Sequence, residues 1–214
     1  DFYKSVSLYR KILSEQPDSS VIIISVGFST NLAQLLDSPA DEYSTLSGIE
    51  LVRKKVKYVS AMMGNIKDQN HKEFNVSCDI SSAQKFINEW PTPITISPYE
   101  VGDAILFPAQ SIENDFKWKS PNPLVIGYTN YMQMPYNRQT WDLTAVLYAV
   151  EREKNFFGYS EWGTLKIDDT GATTFTVNAK GKHRHLTVNK EQASRIQKYF
   201  IQLITQIPAK YKKT

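Results

Sequence analysis

The stretch "SVIIISVGF" (20–28) restricts the fold more than any other part of the chain. Val and Ile dominate it, and branching at Cβ favours extended backbone over helix. The run is continuous rather than alternating. That pattern predicts a strand buried on both faces, as in a parallel sheet covered by helices on each side. "KYVSAMMG" (57–64) and "TPITIS" (92–97) read the same way. Between them lie helical patterns: "KSVSLYRKILSEQP" (4–17), ended by Pro17, then "STNLAQLLDSP" (29–39), "GIELVRKKV" (48–56) and "DISSAQKFINEW" (79–90). Strands alternating with helices imply parallel pairing through βαβ crossovers. Ligand sites in such sheets lie outside the carboxyl ends of the strands. The loops starting at Gly27, Gly64 and Pro98 are therefore the candidates.

The pattern turns helical from "VGDAILFP" (101–108) to "WDLTAVLYAVEREKNFF" (141–157). From Gly158 to Val188 it turns to strands, with "DDTG" and "AKGK" as hairpin turns. An amphipathic helix, "KEQASRIQKYFIQLITQIP" (190–208), follows. The expected class is α/β: a mostly parallel sheet flanked by helices, with a C-terminal β-hairpin region and terminal helix. No linker interrupts residues 1–214, so a single domain is expected, long enough to bury a substantial core. The first residues, "DFYKSV", read as the interior of a longer polypeptide.

Net charge is only +3, and the basic clusters "KGKHRH" (180–185) and "KYKKT" (210–214) read as solvated surface, so nucleic acid is not an expected partner. No apolar stretch approaches the ~20 residues of a membrane span. A soluble protein is expected, with cytoplasm and periplasm both open and homo-oligomerisation open. The single cysteine, Cys78, excludes an internal disulfide framework and reads as a small packed residue.

"HKEFNVSCDI" (71–80) follows the second apolar run and carries Glu73 and Asn75 around an aromatic. They are either loop residues held by local backbone hydrogen bonds or a hydroxyl-binding pair, the carboxylate accepting and the amide doing both. Asp79 reads as a helix cap. Asp142 opens "WDLTAVLYAV", as an N-cap accepting the amides of Thr144 or Ala145, or as a metal ligand. Calcium takes 6–8 oxygens, so one Asp does not make a site. "VGFSTNLAQLL" (26–36) reads as a strand-to-helix turn without a phosphate-binding glycine pattern. His183 and His185 read as an exposed strand rather than a metal pair.

In their order these segments resemble the inosine-uridine-preferring nucleoside hydrolase family over about residues 1 to 160. "GFSTNLA" is similar to the family's "G-x-x-T-N-[IL]-A", "VSAMMG…EFNVSCDISSA" to its "MGG…EFN…D-P-E-A-A", and "WDLTAVLYAV" to its "H-D-x-x-A-V-A-Y". "NEWPTPITISPYEVG" resembles a bacterial branch with Trp before the Asp. The resemblance implies a calcium-dependent hydrolase of the N-glycosidic bond of a ribonucleoside. It implies Asp142 and the main-chain carbonyl of Val26 as calcium ligands, and Glu73 and Asn75 as partners of ribose hydroxyls. A further ribose-binding Asn falls on Asn65 or Asn70. Trp141 stands where the family has a His; it positions a base by stacking rather than donating a proton. The family's N-terminal strand and Asp-rich loop, with the general base, have no counterpart in these residues. A nucleoside- or sugar-binding domain without turnover, and a hydrolase of another glycoside, are the alternatives.

Overall fold

The computed structural model describes residues 4–211. Its strands are β1 (Val21–Ser25), β2 (Val56–Met62), β3 (Ile94–Ser97), β4 (Leu106–Phe107), β5 (Arg138–Gln139), β6 (Gly158–Tyr159), β7 (Gly163–Ile167), β8 (Thr173–Val177) and β9 (His183–Thr187). The helices are α1 (Ser5–Glu15), α2 (Thr30–Leu36), α3 (Gly48–Lys55), α4 (Phe74–Ser77), α5 (Ile80–Glu89), α6 (Tyr99–Asp103), α7 (Ala109–Asn114), α8 (Pro123–Tyr131), α9 (Trp141–Val150) and α10 (Lys190–Ile204). The main sheet runs β1-β2-β3-β9-β7-β8, with β6 paired to β9. β1, β2, β3 and β9 are parallel neighbours, and β7 and β8 form an antiparallel hairpin. The expected α/β class and mostly parallel sheet are present. The joining of β9 to β3 is an addition that the hairpin pattern did not reveal.

Each face of the sheet carries its own core. Val59, Ala61, Ile94 and Ile96 pack with Leu35, Leu51 and Phe86 on one side. Tyr58 packs with Val101, Ile105, Leu147, Tyr148 and Ile196 on the other. On that second face, buried hydroxyls tie α9 to the strands. Ser60 donates to the Ala145 carbonyl (2.8 Å), Thr95 meets the Tyr148 hydroxyl (3.1 Å), and Ser97 meets Thr144 (2.6 Å). Buried polar groups left unpaired cost about 1–3 kcal/mol each, so these pairs fix one placement of α9 over β2 and β3.

Several expectations are corrected. β1 is not buried on both faces: Ile22 and Ile24 are 37% and 36% exposed, and only Ile23 is buried. The strand lies at the end of the sheet order, with β2 as its one neighbour among the described residues. His183 is not exposed but 6% accessible, because β9 is enclosed between β3 and β7. Its Nδ1 accepts the Leu165 amide (2.9 Å). Cys78 is exposed rather than packed. The "DDTG" turn and the Asp79 cap are as expected: Asp168 Oδ1 accepts the amides of Thr170 and Ala172, and Asp79 accepts from Ser82 and from the Thr30 hydroxyl. Residues 212–214 of "KYKKT" lie outside the described residues.

Candidate active site

A cleft of about 700 Å³ opens at the carboxyl ends of β1, β2 and β3, where a parallel sheet places its ligands. Val26 after β1, Met62 at the end of β2 and Tyr99 after β3 form its floor. The segment 71–75, between β2 and α4, forms one wall. Tyr131, Arg138, Trp141 and Asp142 form the other.

The wall at 71–75 is built from the main chain outward. Gly64 turns the chain after β2 with φ +75°, a left-handed conformation that favours glycine. That turn aims the Gly64 amide at Glu73 Oε2 (3.1 Å). Glu73 also accepts the amides of Asn75 (2.8 Å) and Val76 (3.2 Å), capping α4. The side chain is only 3% exposed. Burial pushes its pKa up, outweighing the three amides that favour the charged form. A carboxylate has about four acceptor positions, so Glu73 keeps one for a ligand. Asn75 is held differently. Its Nδ2 donates to the Met62 carbonyl (3.1 Å), while its Oδ1 has no hydrogen-bond partner among the described residues.

The opposite wall is stitched to the loops by hydrogen bonds. The Tyr99 amide donates to the Gly64 carbonyl (2.8 Å), and Trp141 Nε1 donates to the Tyr99 carbonyl (3.1 Å). Gly102 lets α9 approach α6: a Cβ there would lie 2.4 Å from Trp141 Cα. The rings then form a row. His71 and Tyr99 are 4.2 Å apart, Tyr99 and Trp141 5.3 Å. The Arg138 guanidinium lies 5.3 Å from the Trp141 ring and 4.3 Å from the Tyr131 ring.

Asp142 does not cap α9. Thr140 occupies the N-cap without a side-chain cap bond, because its hydroxyl donates to the Ile105 carbonyl (2.8 Å). Asp142 is the second residue of the helix, has no hydrogen bond among the described residues, and lines the cleft. Partial burial raises its pKa, and the positive charge of Arg138 opposes that rise.

A family model described as "Inosine-uridine preferring nucleoside hydrolase" matches residues 3–202, nearly the whole chain. The chain belongs to that family. No curated sequence matches it. Among solved structures, a plant nucleoside hydrolase is similar over 94% of this chain and 69% of its own, with 14% identity and TM-score 0.66. An inosine-uridine preferring nucleoside hydrolase from Bacillus anthracis aligns over 92% and 66%, with 14% identity and TM-score 0.62. An inosine-guanosine nucleoside hydrolase aligns over 96% and 67%, with 14% identity and TM-score 0.69. Identity this low carries the fold alone. The chain spans about two thirds of their length.

Of the residues singled out from sequence, the cleft brings together Val26, Glu73, Asn75, Trp141 and Asp142. Asn65 and Asn70 are outside its lining. Asn65 is buried, its Oδ1 accepting the Asp68 amide (2.9 Å). Asn70 is exposed, its amide donating to Asp68 (2.9 Å). His71, Tyr99, Tyr131 and Arg138 were not foreseen. Tyr99 follows Pro98, the start of a candidate loop; Tyr131 and Arg138 lie in no motif.

The donor set does not fit a calcium ion by itself. No group of three or more His, Cys, Asp or Glu suited to a metal gathers among the described residues. Main-chain amides fill all but about one acceptor position of Glu73, so the cleft offers that position, the Asp142 carboxylate and Val26. Calcium needs several oxygens more.

Proposed function

We propose that this cleft binds a ribonucleoside and that the protein hydrolyses its N-glycosidic bond. The observation that carries the reading is the placement of a carboxylate, Asp142, facing the cleft beside a row of neighbouring aromatic rings. The rings suit a flat base. Asn75 Oδ1 and the one open position on Glu73 suit ribose hydroxyls. Cleavage of a glycosidic bond passes through an oxocarbenium-like state, with positive charge on the sugar. A carboxylate beside the sugar offsets that charge, and partial removal from water strengthens its field. Water adds to C1′ as the base leaves. Trp141 orients the base and contributes no proton. Calcium, which the family resemblance implies, requires oxygen donors beyond those in the cleft, and no step above depends on it.

Ribose release from purine and pyrimidine ribonucleosides by the full-length protein tests the reading. Release from at least one is expected; none from any, with calcium present, refutes it. The sparse carboxylates favour a second reading, a nucleoside-binding domain without turnover. Calorimetry that finds nucleoside binding without ribose release selects it.

A further inference from the structure

Two arginines and four aromatic rings gather at the end of the sheet opposite the cleft. α9 starts at the cleft with Trp141 and Asp142 and runs about 15 Å toward the amino ends of the strands. Arg152 follows the end of α9, and Arg184, on β9, pairs with Thr95 near the start of β3. Arg184 Nη2 donates to the Tyr148 hydroxyl (2.7 Å) and Nε to the Thr95 hydroxyl (3.3 Å). The other N–H groups of its guanidinium have no acceptor among the described residues. Its guanidinium carbon is 4.3 Å from the centre of the Tyr159 ring and 5.0 Å from that of Trp162. The Arg152 guanidinium carbon is 5.3 Å from the Tyr58 ring. Tyr148 is shared, with Arg152 at 5.8 Å and Arg184 at 5.9 Å from its ring. Tyr58 and Tyr148 are buried, whereas Tyr159 and Trp162 are 37% and 39% exposed, so the cluster opens to solvent on that side.

Neither guanidinium forms an ion pair with a carboxylate among the described residues. Glu151 is held by Lys154 (3.1 Å) and the Tyr199 hydroxyl (2.7 Å). Glu153 acts on Tyr159 at longer range only. Burial pushes the Tyr58 and Tyr159 hydroxyls up in pKa, and both arginines oppose that rise, so the two charges act on the same groups. Contact with a ring accounts for one arginine. Two like charges around one ring repel, and their anchoring to Tyr148, Thr95 and the rings keeps them together. From this arrangement we infer that Arg152 and Arg184 form a site for a phosphoryl group, separate from the cleft. A phosphate monoester carries about −1.5 to −2 charges, enough to offset both arginines, where a carboxylate offsets one. Its oxygens accept paired N–H bonds from a guanidinium. The Tyr159 hydroxyl, close to both charges, is a further donor. The phosphoryl group belongs either to the free anion or to a nucleotide whose base lies on the exposed Tyr159 and Trp162 rings.

Titration calorimetry on the full-length protein at fixed ionic strength tests this, with inorganic phosphate, adenosine 5′-monophosphate and acetate as separate probes. Phosphate is expected to bind at least about 10-fold tighter than acetate, one charge-assisted hydrogen bond more. Arg152→Met and Arg184→Met should each weaken phosphate roughly 10- to 150-fold, the range for losing one such bond. Arg53→Met removes the same charge from an exposed position on α3 and should leave phosphate affinity unchanged. Arg184 is tied to buried hydroxyls, so thermal unfolding accompanies its variant; Arg152 is exposed and decides the matter if Arg184→Met does not fold. Adenosine 5′-monophosphate that binds tighter than phosphate and is weakened by Arg152→Met identifies a nucleotide as the source; equal affinities identify the free anion. Phosphate binding no tighter than acetate overturns the inference, as does an equal loss in Arg53→Met. Binding that survives both arginine variants and is lost in Arg138→Met places the anion in the cleft and overturns it as well.

Discussion

Replacing Glu73 by Gln tests whether this carboxylate anchors the cleft wall or only meets a ligand. Oε2 accepts the Gly64 and Val76 amides at 3.1 and 3.2 Å, and Oε1 accepts the Asn75 amide at 2.8 Å. Glutamine has one oxygen. Its better orientation keeps the pair at Oε2 and turns an NH₂ toward the Asn75 amide, donor against donor. That removes a charge-assisted bond worth about 1.5–3 kcal/mol. Relief of burying a charge, visible in the raised pKa, returns part of it. The net cost is about 1–3 kcal/mol, a fall in Tm of roughly 2–12 °C for a chain of this size. Nucleoside binding should fall with it, because the Gly64 turn and α4 lose their common tie. Asn75→Ala is the contrast. It removes neutral contacts of one NH₂ group with the Met62 carbonyl and sulfur, about 1 kcal/mol, so it should lose affinity at a cost in Tm near the bottom of that range. Thermal unfolding and calorimetry on both variants decide. Glu73→Gln with unchanged Tm and lost binding refutes the anchoring argument.

Other residues give sharper separations between shape and charge. Asp142→Asn should leave Tm unchanged or slightly raised, since partial burial opposes its charge more than the nearby Arg138 favours it; ribose release should fall at least about 100-fold, the loss typical of one transition-state electrostatic contact. Gly102→Ala forces a Cβ to within 2.4 Å of Trp141 Cα; the overpacking costs about 1–3 kcal/mol, and displacement of Trp141 and Asp142 lowers kcat/KM by roughly 100-fold if it reaches about 1 Å. His183 is held neutral by burial, its pKa lowered from 6.5 to about 4. The unfolded chain therefore takes up that proton first, so stability is full above pH 6.5 and falls by about 3 kcal/mol as pH drops to about 4. In His183→Asn, which keeps an acceptor for Leu165, urea unfolding from pH 7 to 4 should show a flatter slope.

The sequence was most informative where one segment determines its own surroundings. Apolar runs and caps located β1 to β3, α2, α3 and α5, because periodicity and local hydrogen bonds act over a few residues. It was least informative where the answer depends on a neighbour. The "VIIIS" run (21–25) shows that β1 tolerates burial, not that anything covers Ile22 and Ile24. His183 looked exposed because the pairing of β9 with β3 brings together residues about 90 apart in the chain. Asp142 looked like a cap because caps are the commonest use of an Asp at a helix start. The hydroxyl that could have capped there, Thr140, is taken by Ile105, and Asp142 falls two residues too late. Tyr131 and Arg138 reach the cleft through the β4–β5 pairing and the turns around it, which no local pattern specifies. The cleft residues Glu73, Asn75, Trp141 and Asp142 were thus legible as motifs, and Tyr131 and Arg138 were not.

The same division bears on calcium. Sites with a full set of oxygens reach dissociation constants of 10⁻⁹ to 10⁻³ M, governed largely by the number of charged ligands. Here the cleft offers the Asp142 carboxylate, Val26 and about one acceptor position of Glu73, whose others are filled by three amides. Affinity weaker than about 10 mM is expected for these 214 residues on their own. A ligand at one tenth of its dissociation constant stabilises by RT ln 1.1, about 0.06 kcal/mol, which moves Tm by well under one degree. Calcium at about 1 mM should therefore leave the melting curve of this polypeptide unchanged, and chelation should do the same. A rise of several degrees that Asp142→Asn abolishes would instead mean that Glu73 leaves its amides to join the ion. In that case the anchoring argument and the calcium argument fail together, because both depend on the same three hydrogen bonds.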